Sequence, residues 1–134
     1  MPPVHINYVA VIASSLLAMG IALAWFSPYM FGPIWNASAG KKGLDLSRKS
    51  PAFSLMLLAV LLESYVLAHF EAYAVAITPL DGARIGLWLA LGIALPPLVG
   101  IGLFEGRSWR WFLVAFGYFG ISLMIMGIVL VTWT

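Results

Sequence analysis

Residues 52–77 read AFSLMLLAVLLESYVLAHFEAYAVAI. The run is Leu, Val, Ala, Met and aromatic almost throughout. It is long enough to cross a bilayer, since roughly 20 residues rising about 1.5 Å each span a hydrocarbon core of about 30 Å. Yet Glu63 falls near its centre, and Glu71 follows two positions after His69. On insertion scales a charged group at mid-depth costs about 2.5–3.5 kcal/mol. A span that carries one must hide it, neutralise it or use it, so this run is where the sequence reading centres.

The composition extends that reading to the whole chain. Of 134 residues, 63% are apolar and 9% are charged, and the formal net charge is +2. So few polar residues cannot cover a water-facing surface, which places the chain among integral membrane proteins with the lipid bilayer as first partner. The few basic residues form no stripe, and nucleic acid is excluded as a partner. The absence of cysteine excludes disulfides, thiolate metal sites and thiol catalysis. No basic segment precedes the first apolar run, which is long enough to be a span, so no cleavable signal is expected.

The predicted fold is all-α: one domain over residues 1–134, with spans at about 6–26, 52–77, 83–104 and 109–133 and a short interfacial helix after the first. Trp25, Phe26, Ser27, Pro28, Phe31, Gly32, Pro33 and Trp35 break the first helix with two prolines and a glycine, and supply aromatics suited to the headgroup boundary. Ser50 and Pro51 suit a helix start, and Asp81 is the expected N-cap of the third span. Pro96 and Pro97 cannot donate to the carbonyls of Gly92 and Ile93, which predicts a kink. Glu105-Gly106-Arg107 makes the last turn. Gly117, Tyr118, Gly120 and Gly127 are helix-packing candidates, Gly117 and Gly120 standing one turn apart.

Lys41, Lys42, Arg48 and Lys49 fall between spans one and two, and Arg107 and Arg110 between spans three and four. Only Arg84 falls between spans two and three. Positive residues mark the cytoplasmic side, so both termini are expected outside the cytoplasm.

The candidates for ion or proton binding are Glu63, Ser64, His69 and Glu71. Tyr65, His69 and Tyr73 recur every four residues and form one stripe. His69 and Glu71, two apart, point about 200° from one another and cannot clamp one ion from a single helix. No phosphate-cradling loop, nucleophile–base arrangement or zinc motif is present, so neither a metal nor a cofactor is expected. Glu105, Arg107 and Arg110 are expected to pair locally or with anionic headgroups.

Trp25-Phe26-Ser27-Pro28, Phe31-Gly32 and Trp35, followed by Phe104-Glu105-Gly106-Arg107, Trp109, Phe112-Leu113, Gly117-Tyr118 and Met126-Gly127, resemble a family of small bacterial four-helix integral membrane proteins, domain of unknown function family 1761. The resemblance covers almost the whole chain. It departs at Ala115 and Phe119, where the family tends to have Asn and His. It implies a bacterial inner-membrane location and makes the two bends, rather than Glu63, the characteristic feature. Three functions compete. The leading one is a structural or accessory subunit, homo-oligomeric or docked on a larger membrane complex. The alternative is a small proton- or cation-coupled transporter or channel using Glu63. The third is a membrane enzyme acting on a lipid or quinone, for which no convincing catalytic set is present.

Overall fold

Side-chain capping sets where the first helix begins. Asn7 Oδ1 accepts from the amides of Val9 and Ala10 at 3.1 and 3.2 Å and starts α1, Tyr8–Trp25. The computed structural model describes residues 2–39 and 51–133, and every regular element in them is helical. After α1 come α2 (Gly32–Ala39), α3 (Pro51–Tyr73), α4 (Pro79–Leu89), a π-helical segment (Ala90–Ala94), α5 (Leu95–Phe104) and α6 (Trp109–Thr132). The continuous helix Pro79–Phe104 is the third of four helices long and apolar enough to cross a membrane. The chain is thus an all-helical, multi-pass membrane protein. The expected cap at Ser50 and the basic residues Lys41, Lys42, Arg48 and Lys49 lie outside the described residues.

The link between α3 and α4 differs from the sequence expectation. The second helix ends at Tyr73, before Ile77, because Val75 adopts a left-handed φ of 56°. The amide of Ala76 then reaches back to the carbonyl of Glu71 at 3.0 Å, and that of Val75 to Ala72 at 3.2 Å. The third span starts at Pro79, earlier than 83, because Thr78 is the N-cap. Its hydroxyl accepts from the amide of Asp81 while the Asp81 carboxylate accepts from the amide of Thr78 at 2.9 Å. Asp81 therefore closes a capping box from the third helical position and is not itself the cap. The same helix ending recurs after α5. There Gly106, at φ 67°, takes the left-handed position, and Arg107 N–H donates to Gly102 at 2.8 Å. A β-branched residue is strained at such a position and glycine is not, which explains the glycine in that bend.

The prolines act through the π-helical segment. Neither ring nitrogen can donate, and the helix widens just before them, so that Leu95 N–H bonds back to the carbonyl of Ala90.

Packing puts α6 at the centre. Half of its apolar window is buried within the chain, against 17% for α3 and 11% for the third span. Gly82 and Gly86 on α4 face the Gly127 and Leu123 carbonyls of α6 so closely that a Cβ on either glycine would strike backbone. Small residues at that spacing let helices in lipid approach to direct backbone contact. The junction of α1 with α3 is fastened by hydroxyls: Ser14 and Ser64 bond to each other, and Ser64 donates to the Val11 carbonyl at 3.0 Å. Both termini lie at one end, where Asn7 Nδ2 donates to the Trp133 carbonyl at 2.6 Å and the Tyr73 hydroxyl to the Pro2 carbonyl at 2.7 Å.

Candidate functional site

At the opposite end, the two bends that stand far apart in sequence meet in space. Ser27 Oγ donates to the Ala24 carbonyl at 2.7 Å, and the amides of Met30 and Gly32 both return to the Ser27 carbonyl. A Cβ at Gly32 would press on the carbonyls of Phe26 and Ser27, so glycine lets the chain reverse this tightly; Pro28 falls in the turn. The reversal lays α2 against α6. Trp35 stacks on Trp111 with centroids 5.5 Å apart, and Phe26 packs between Trp35 and Tyr118 at 5.1 and 5.5 Å. Trp25, itself against Phe31 at 4.4 Å, donates its indole N–H to the Val114 carbonyl at 2.9 Å. Its six-membered ring covers Gly117, where a Cβ would come within 2.8 Å of it. Gly117 is therefore the seat of an indole. Gly120, one turn on, has open space where a Cβ would stand, so the two glycines do not share one packing surface. The Arg107 guanidinium pairs with Glu105 at 2.7 Å and lies 5.9 Å over the Trp111 ring. Exposed pairs of this kind contribute about 0–1 kcal/mol.

Glu63 and Glu71 share α3 and have different surroundings. Glu63 is half-buried and lines an apolar crevice of about 450 Å³ between α3, the π-helical segment and α6, walled by Leu62, Val66, Phe70, Leu89 and Ile93. On α6 the Tyr118 hydroxyl is buried with no hydrogen-bond partner among the described residues. Ser64, the next residue, faces the other way and is fully buried against α1. Ser15 and Ser122 each donate to the carbonyl three residues back in their own helix, and Ser14 is taken up by its bond with Ser64.

Glu71 is only 5% exposed, making it the most buried carboxylate among the described residues. Its Oε1 has no hydrogen-bond partner and sits against Gly127, at the crossing of α4 and α6. A cavity of about 60 Å³ opens beside it, lined also by His5, Asn7 and Ala68, with room for a few waters. His69 points elsewhere, as its two-residue offset requires. Its Nδ1 donates to the Tyr65 carbonyl at 2.8 Å, and its ring lies between Tyr65 and Tyr73, while Tyr8 stacks on Tyr65. Among the described residues no three acidic or histidine side chains gather into a metal-binding group.

Sequence reasoning missed three things here. Gly82 is the first, although the letters carry its signal: Gly82 and Gly86 stand at the four-residue spacing that marks a tight helix crossing in lipid. The pairing of Trp25 with Gly117 carried no local signal, being a contact across most of the chain. The deeper burial of Glu71 than of Glu63 also left no trace in the letters, since both follow apolar runs. Ala115 is buried within α6 and Phe119 packs on the Tyr118 ring.

The chain has no match among curated proteins or solved structures. The family model described as "Protein of unknown function (DUF1761)" matches residues 9–131, which include both bends and all but the outermost residue at each end of the four spans, and the chain belongs to that family.

Proposed function

We propose that this protein is a structural or accessory subunit of the bacterial inner membrane that works in a lateral assembly, with a second copy or a larger membrane complex, and with both termini outside the cytoplasm. Glu63 carries the reading. A carboxyl group deep in a span is stable only when something polar or another protein surface shelters it. Its own chain leaves it half-buried at an apolar crevice. The lipid-facing remainder of α3 and the third span is apolar and largely uncovered by the chain itself, which leaves surface for a partner. The interior supports a structural role too, because its serines are spent on carbonyls and on one another.

The natural absence of cysteine makes the test direct. Leu62→Cys and Ile93→Cys, both at the crevice, are expected to give oxidative or bifunctional cross-links in native membranes, to a second copy or to one stoichiometric partner. Ile12→Cys, on the outward surface of α1, is expected to give none. Cross-linking at Ile12 and not at the crevice, or at no position, overturns the proposal.

A further inference from the structure

Beside the joined bends runs a second groove, of about 410 Å³, lined by Trp25, Phe31, Ile34, Trp109, Leu113 and Gly117, with Arg110 also in its wall. We propose that it binds one anionic phospholipid, an acyl chain lying along the groove and the headgroup phosphate held by Arg110.

Direction is the first argument. The α6 wall consists of positions 109–110, 113–114 and 117, which recur at helical spacing and stand on one stripe. The eight steps from 109 to 117, at 1.5 Å each, give the stripe a length of about 12 Å along the helix axis. Because α6 spans the membrane, the groove follows an acyl chain's direction from the interface inward. A ligand lying in the membrane plane would cross it instead.

Rigidity is the second. The indole of Trp25 is held by its bond to the Val114 carbonyl and by its seat on Gly117, so it presents a fixed apolar face. The volume lies in the range of ligand sites that need little rearrangement to fill.

Charge is the third. Arg110 is the one charged side chain among the described residues that line the groove. Among the described residues the one ion pair is Glu105 with Arg107, so the neighbouring carboxylate is already engaged. Arg110 has its guanidinium 5.6 Å over the Trp109 ring, which leaves its N–H edge for an oxyanion. A guanidinium donates two parallel hydrogen bonds to phosphate, and a basic residue at this depth favours anionic over zwitterionic lipid.

The test uses the purified full chain in mild detergent with equal dioleoyl-phosphatidylglycerol and dioleoyl-phosphatidylcholine, bound lipid being read by native mass spectrometry. The chain is expected to retain one phosphatidylglycerol in preference. Arg110→Gln is expected to lower that preference about fivefold and leave phosphatidylcholine retention unchanged. Leu113→Trp, which fills the groove, is expected to lower retention of both lipids with an unchanged melting curve. Should it fail to fold, Ile34→Trp fills the groove from the other wall. Arg84→Gln, at the opposite end of the bundle, is the control and is expected to behave as the natural chain. An Arg110→Gln chain with undiminished preference, or equal retention of the two lipids by the natural chain, overturns the proposal. So does displacement of the lipid by millimolar inorganic phosphate, which would mark a site for a free anion.

Discussion

At the junction of α4 with α6, Gly82, Gly86 and Gly127 let two backbones touch, and the Glu71 carboxyl group is shut in beside them. At the junction of α3 with the third span, Leu62, Val66, Leu89 and Ile93 line a crevice of about 450 Å³ with Glu63 among them. The hydropathy of the helices involved is nearly the same, from 1.8 to 2.3. Side-chain size, and not apolar character, decides which junction closes. In lipid this is the expected order of effects, because tails solvate a leucine as well as another leucine does, and close packing supplies what the hydrophobic effect supplies in water.

The largest test of this contrast is Gly82→Val. Its Cβ would strike the carbonyl of Gly127, and helix α4 would have to move off α6. Stability should fall by about 3 kcal/mol, read from circular dichroism during titration with a denaturing detergent. A loss below about 1 kcal/mol would mean that the crossing does not hold the bundle together. Glu63→Leu should act in the other direction on the isolated chain, raising its stability by about 2 kcal/mol in the same titration, since an acid in an apolar crevice gives way to a residue that suits it. On the proposed reading the same substitution weakens the cross-links at Leu62 and Ile93. Stabilisation with undiminished cross-linking would separate the carboxyl group from assembly. The smallest effect is expected at Gly120→Ala. Gly120 lies on the same helix as Gly127 and seven residues before it, but its Cβ position meets open space. A gain of about 0.5–1 kcal/mol from helix propensity is expected. A loss would show that close approach extends further along α6 than the Gly127 crossing.

These contrasts also mark how much of the site was legible. Thr78 and Asp81 show a capping box three residues apart, and reading Asp81 as the cap itself displaced the start of the third span by one turn. The aromatic bend was visible as a bend, and Gly32 as the glycine that permits it. Its docking on Trp111, Tyr118 and Gly117 was not, because that contact joins residues about eighty to ninety apart and depends on how α2 folds back. The span with the chemical oddity, α3, is not the one that organises the bundle. Its two carboxylates drew attention, but a helix's chemical oddity says nothing about its place in the bundle, and α6 is the helix that meets all the others.

From its letters alone, this chain is committed to lipid as its solvent and to four crossings, with the turns placed by proline, glycine and capping side chains. All of that follows from backbone hydrogen bonding and local sterics, which act over a few residues. Tertiary structure alone decided which crossing is central, which glutamate is enclosed, and that two distant bends build one aromatic end. The physical reason is that each span is apolar around its whole circumference. A helix neighbour and a lipid tail reward the same residues, so only the three-dimensional fit between small and large side chains tells them apart.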